Sequence, residues 1–217
     1  CHGLGAGRSD FTEIAAGLSR GGYNILLFDF RGHGENERRA SSFGYLEQRD
    51  LLGALRYVKT RNDVDAKKIG VYGFSMGGAV AILTAARSNE IKAVISDSSY
   101  TSMREQGRRL FDDSFLPSFI FFPPLLWMYE AVFHVNADEV SPIDRIGELS
   151  PRGVMIIGGG ADEQMPSSDA MRLFAAAKEP KELWLIPGAV HGGTVYMAGE
   201  EYEKRVLRFL DSYLKSK

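Results

Sequence analysis

The sequence predicts an α/β protein: a mostly parallel sheet with helices on both faces. Three observations predict it. Apolar runs of strand length alternate with stretches whose apolar residues recur at helical spacing. The strand-like runs are apolar at consecutive positions, as in "YNILLFDF" (23–30) and "GVMIIGGG" (153–160), which marks strands covered on both faces. Glycines cluster where those runs end, at the turns from strand to helix.

The elements follow in order. Phe11, Ile14, Ala15 and Leu18 share one face of a first helix, and Gly21-Gly22 ends it. Residues 23–30 are expected to form the first strand. Leu51, Leu55 and Val58 carry the next helix. "KIGVYGFS" (68–75) is a strand, "MGGAVAILTAAR" (76–87) the helix after it, and "IKAVISDSS" (91–99) another strand. The alternation is interrupted from Tyr100 to about Val140 by a longer, aromatic-rich insert. It resumes with the strand at 153–160, a helix at 166–178 and a last strand, "KELWLIPG" (181–188). Tyr202, Val206, Phe209 and Tyr213 place a closing amphipathic helix. Such a chain has right-handed crossovers and gathers its functional groups at the carboxyl ends of the strands.

Composition narrows the function classes. A chain of 217 residues is expected to form one domain over 1–217, with residues of about 100–140 as a cap. Lys plus Arg is 26 against 28 for Asp plus Glu, a net charge of −2, so no electrostatic footprint for nucleic acid exists. The single cysteine, Cys1, rules out an intrachain disulfide and a cysteine-based zinc site. No initiator Met or signal-type stretch opens the chain, so its natural start is expected upstream, and the setting is expected to be cytoplasmic. The segment "FLPSFIFFPPLLWMYEAVF" (115–133) is long enough to span a membrane. Pro117, Pro123 and Pro124 are expected to break such a helix, so the segment is read as packing on the protein itself.

The chemistry is concentrated in a few residues. Gly73-Phe74-Ser75-Met76-Gly77 fits G-x-S-x-G between a strand and a helix. A sharp turn there holds the serine Oγ proud of the sheet, and glycine at both flanks avoids collision across it. Met76 opens the helix, so its N–H points where an oxyanion would form. A serine needs a base. Of four histidines, His2 and His33 lie early and His134 in the insert, whereas His191 directly follows the last strand, between flexible glycines. The base needs a carboxylate. Asp162, after three glycines at a strand end, is the preferred acid; Glu163 beside it and Asp97 in "ISDSSY" are the alternatives. The chain order Ser75, Asp162, His191 is that of α/β-hydrolases.

The pieces "HG" (2–3), "DFRGHG" (29–34), "GFSMGG" (73–78), "GGAD" (159–162) and "AVHGG" (189–193) together resemble the α/β-hydrolase superfamily along nearly the whole chain. Within it the sequence is similar to small bacterial esterases and acylaminoacyl-peptidase-like hydrolases. The resemblance implies that the backbone N–H of Leu4 is a second oxyanion donor, that Arg31 and His33 are structural, and that His2 is not a base. It also implies a central strand before His2, between the 23–30 run and the nucleophile strand, with two more before it. These strands are missing from the sequence, so upstream residues or another segment are expected to fill the gap.

In the insert, Phe111, Phe115 and Trp127, among other rings, are expected to line an apolar pocket that selects an acyl or alcohol group. The opposing reading is core packing or a covered interface. Arg104, Arg108 and Arg109 are read as a solvated face, with steering of an anionic substrate as the alternative. The expected function is that of a serine hydrolase acting on a small-molecule carboxylic ester, with no metal and no organic cofactor. An amidase, peptidase or thioesterase, an acyl transferase or perhydrolase, and a non-catalytic binding module are the alternatives.

Overall fold

The computed structural model describes residues 1–36, 40–111 and 116–215. A 3-10 turn (Arg8–Phe11) leads into α1 (Thr12–Arg20), and α2 is Glu47–Lys59. Then come β1 (Ile69–Phe74), α3 (Met76–Arg87), β2 (Ile91–Asp97), α4 (Met103–Arg109), α5 (Ser118–Phe133) and α6 (Pro142–Arg145). The chain closes with β3 (Gly153–Gly159), α7 (Ser167–Ala176), β4 (Lys181–Ile186), α8 (Thr194–Ala198) and α9 (Glu200–Leu214). The strands form a four-stranded sheet in the order β1-β2-β3-β4, every pair parallel.

The continuous apolar runs have a simple cause. Side chains alternate between sheet faces, and here both faces are covered. Val94, Val154 and Ile156 join Ile82, Leu149 and Leu173 in a core on one face. Their neighbours Ala93, Ile95, Met155 and Ile157 join Val206, Phe209 and Leu210 of α9 in a core on the other. Gly70 and Gly153 let α9 approach closely, because a Cβ would meet Leu214 at 3.0 Å and the Tyr213 ring at 2.4 Å.

Three elements depart from expectation. Residues 23–30 are not a strand: their backbone has no ladder partner among the described residues. A strand is defined by pairing, and an apolar cleft of about 390 Å3, lined by Ile25, Leu27, Leu55, Val71 and Leu214 among others, separates this run from β1. Among the described residues, only Cys1 continues the parallel pattern beside the outer edge of β1, with its N donating to Tyr72 O (2.8 Å) and its O accepting from Phe74 N (3.0 Å).

The second departure is α5, which runs straight through Pro123 and Pro124, with Pro117 as its N-cap. Each internal proline removes one backbone bond to the residue four before it. Those residues, Phe119 and Ile120, are 78% and 53% exposed, so their carbonyls can be hydrated. Among the described residues no helix is long and apolar enough to cross a membrane. The third is α8, a short helix after His191 that the sequence pattern did not reveal.

Candidate active site

Ser75 sits in the turn between β1 and α3 with φ 54° and ψ −121°, a conformation that a non-glycine residue adopts only under constraint. Two backbone bonds supply that constraint: Ser75 N donates to Asp97 O at the end of β2 (2.8 Å), and Gly78 N donates to Ser75 O (2.9 Å). A Cβ on Gly73 would lie 2.1 Å from Gly77 O, so the turn closes only with glycine there. Gly77 is required for a different reason from the expected collision across the turn. A Cβ on it would strike Cys1 O at 2.3 Å and His2 O at 2.6 Å. The Ser75 turn is thus packed against the loop that carries Leu4.

That loop is close on its other side too. A Cβ on Gly3 would lie 3.2 Å from both the Phe74 ring and Ser75 Cβ. Leu4 occupies the following turn, half exposed. Met76 is the first residue of α3 and 2% exposed; the N–H of a first helical residue has no carbonyl within its own helix to bond. His2 is buried, with Nε2 accepting from Phe30 N (2.9 Å) and Nδ1 facing Gly3 O (2.8 Å). Because Nε2 accepts, Nδ1 carries the proton and donates. Burial lowers the His2 pKa, against the opposing pull of the Gly3 carbonyl. His33 bonds Arg31 O at 2.8 Å, and Arg31 pairs with Asp50. His134 is the left-handed C-cap of α5.

His191 stands in the loop after β4, and its Nε2 lies 3.2 Å from Ser75 Oγ. Its Nδ1 lies 2.8 Å from Asp162 Oδ2. A carboxylate only accepts, so Nδ1–H donates to Asp162 and Nε2 is left to accept from the serine hydroxyl. Asp162 is 4% exposed, and its other oxygen accepts from Gln164 N (3.0 Å) and Met165 N (2.8 Å), which orients the carboxylate. The two loops are tied together where Ala161 N donates to Ala189 O (2.9 Å). Gly192 has φ 77°, a conformation that favours glycine, and the Phe74 ring lies tilted against the His191 ring with centroids 4.9 Å apart. Glu163, the neighbour of Asp162, is exposed.

Asp97 lies elsewhere in the network. It is fully buried, and its carboxylate accepts from Thr194 Oγ1 (2.7 Å), Tyr202 OH (2.7 Å), Tyr72 OH (3.3 Å) and Ser98 Oγ (2.9 Å). Burial raises its pKa, while these hydroxyls pull it back down. Sequence reasoning missed these partners, and it also missed Glu47. That buried carboxylate accepts from Ser41 Oγ (3.0 Å), Ser42 N (2.9 Å), Ser42 Oγ (2.6 Å) and Gly44 N (2.9 Å). It orders the loop whose Ser41 hydroxyl touches Met76 Sδ at 3.6 Å. A serine pair just ahead of a helix was the available signal.

The cap residues are divided. Phe111 is half-buried, packs on the core and meets the Phe122 ring edge-on at 6.3 Å. Trp127 is 71% exposed, while Phe122 and Leu126 bury the inner side of α5. Phe115 lies outside the described residues. Arg109 forms an ion pair with the buried Asp169 (2.9 Å) and Arg104 one with Asp138 (2.6 Å), which gives both a structural role.

A family model for the alpha/beta hydrolase fold matches residues 1–119, more than half of the chain. The chain is an α/β-hydrolase. This α/β-hydrolase is 31% identical over 210 residues to the uncharacterized protein Rv2307c of Mycobacterium tuberculosis, a match covering 97% of this chain and 68% of that protein. It is 27% identical over 216 residues to the uncharacterized protein YfhR of Escherichia coli, covering 98% of this chain and 69% of the relative. Among solved structures it is similar to the esterase Pf2001 of Pyrococcus furiosus, with a TM-score of 0.77 and 27% identity over 98% of this chain and 81% of the other.

Proposed function

We propose that this α/β-hydrolase is a serine hydrolase that cleaves a carboxylic ester through an acyl-enzyme. The observation that carries the reading is the unbroken hydrogen-bonded run from Ser75 Oγ through His191 to Asp162 at the carboxyl edge of the sheet. Ser75 Oγ attacks the ester carbonyl carbon while His191 Nε2 takes the hydroxyl proton. Asp162 keeps the tautomer in which Nε2 is free and stabilises the imidazolium that forms. The tetrahedral oxygen takes its negative charge between the N–H groups of Met76 and Leu4. On collapse the bond to the leaving oxygen breaks, and His191 returns the proton to it. Water, deprotonated by the same imidazole, then releases the acid and restores Ser75.

An ester is favoured over an amide because Pf2001, the structural neighbour at 27% identity, bears the name esterase. The apolar side chains of α5 suit an apolar acyl or alcohol group.

An alkyl fluorophosphonate tests the reading, with intact mass and peptide mapping as the readout. One adduct, on Ser75, is expected. A chain that takes none, or takes it on another residue, loses this assignment.

A further inference from the structure

We propose that Asp97 is a positioning residue that fixes the His191 loop against the Ser75 turn. The proposal rests on the serine-hydrolase reading of Ser75 and His191.

The geometry is that of a two-way clamp. Through its backbone, Asp97 O accepts from Ser75 N (2.8 Å) and so holds the nucleophile's turn. Through its side chain, Asp97 Oδ2 accepts from Thr194 Oγ1 (2.7 Å). Thr194 is the first residue of α8, three places beyond His191, and is 1% exposed. Between them lie Gly192 and Gly193, so the backbone there has little stiffness of its own. On the near side the loop is tethered by Ala161 N to Ala189 O and by the ring's own bond to Asp162. On the far side the buried hydroxyl of Thr194 is the tether that reaches the strand carrying the serine's anchor.

The clamp is itself held from two further elements. Tyr72 OH from β1 and Tyr202 OH from α9 donate to the same carboxylate oxygen and lie 2.9 Å from each other. Ser98 Oγ occupies the second oxygen. A buried carboxylate with four hydroxyl donors is held redundantly, so that losing one donor leaves its orientation set by the other three. The hydroxyls differ in what they join to it: Thr194 joins the His191 loop, whereas Tyr202 joins α9, eight residues further along the chain. That difference separates positioning from mere support of the fold.

The test uses the purified chain, an alkyl fluorophosphonate and three variants. In the labelling step Ser75 Oγ bonds to phosphorus, fluoride leaves with the P–F electron pair, and His191 takes the hydroxyl proton. Thr194→Val is expected to lower the rate constant of this step about 10-fold with the probe's binding constant unchanged, since small misplacements of a catalytic group cost that much or more. Thr194→Ser, which keeps the hydroxyl, is expected to restore the rate. Tyr202→Phe is expected to lower the melting temperature but to stay within about two-fold of the wild-type labelling rate. Hydrogen exchange should quicken at residues 190–193 in Thr194→Val alone. The positioning role is overturned if Thr194→Val labels at the wild-type rate, or if Tyr202→Phe slows labelling equally. A wild-type chain that takes no adduct overturns the hydrolase reading and this proposal with it, so the two failures are told apart.

Discussion

The carboxyl edge of the sheet and the helix α5 are built on opposite principles. At the edge, Ser75, Asp97, Asp162 and Thr194 are all buried, and each is held by at least one bond from a different element. On α5, Phe119, Ile120, Trp127 and Val132 are each more than half exposed. That helix is anchored by the buried Phe122 and Leu126 and by Tyr129 OH donating to Ser42 O (2.8 Å). One region is defined by direction and the other by apolar area. Directional bonds set the position of reacting atoms to fractions of an ångström, whereas apolar contact tolerates change of shape. Substitutions at the edge should therefore act on rate, and substitutions on the outer side of α5 should act on little.

The largest effect should come from Ser75, the proposed nucleophile. Ser75→Ala is expected to lower kcat for ester hydrolysis on the order of 10⁴-fold or more with the fold intact. Asp162→Asn should come close to it, because the amide no longer selects the tautomer that leaves Nε2 free. Hydrolysis of p-nitrophenyl butyrate, with circular dichroism as the control for folding, makes the measurement. A Ser75→Ala chain that keeps most of its activity would mean that the edge is not where the reaction occurs.

A smaller effect tests how tightly the edge is packed. At Gly3 an added Cβ would sit 3.2 Å from Ser75 Cβ and from the Phe74 ring, a contact that displaces its neighbours by a few tenths of an ångström. Gly3→Ala should thus push the Leu4 turn away from the nucleophile without unfolding the chain. Losing one oxyanion donor outright costs about 10²–10³ in kcat, so displacing one should cost about 10-fold. An unchanged kcat would remove Leu4 from the proposed site.

Much of this contrast was legible in the sequence because it follows from local sterics. Gly73 is glycine because a Cβ there would lie 2.1 Å from Gly77 O, and such a demand leaves a mark at a fixed offset from Ser75. His191 and Asp162 could be ranked because parallel topology says which loops share an edge. What stayed hidden depends on partners distant in the chain. Asp97 is held by hydroxyls from residues 72, 194 and 202, three positions with no common spacing. The run at 23–30 is apolar enough for a strand, but apolarity does not pair a backbone, and Ile25 and Leu26 are exposed. Pro123 and Pro124 break a local rule whose cost depends on whether the orphaned carbonyls meet water, which is a tertiary fact.

A pH series probes the buried frame behind the edge. His2 is 1% exposed, and burial holds its pKa below the ordinary histidine value of 6.5. Below that value the unfolded chain binds a proton that the folded chain resists, so stability falls as pH drops from about 7 toward the lowered folded pKa. Relative to a His2→Gln chain, the wild type should lose a further one to a few degrees of melting temperature between about pH 8 and about pH 5. Parallel melting curves for the two chains would show that His2 is not titrating across folding.

The smallest effect should be on the far side of α5, and there the contrast can be sharpened most. Trp127→Ser removes a large ring that is 71% exposed in the isolated chain, so its stability should change by no more than about 0.5 kcal/mol. Phe122→Ala, on the buried side of the same helix at 8% exposure, should cost about 3 kcal/mol. Urea titration of both variants at two protein concentrations makes the comparison. If Trp127→Ser is also costly, and its cost grows with concentration, that face is covered by a second copy of the chain. If it is costless for folding but raises KM for long-chain esters more than for short ones, the exposed rings meet the substrate. The apolar surface of α5 would then serve binding, while Ser75 and its partners at the sheet edge set the rate.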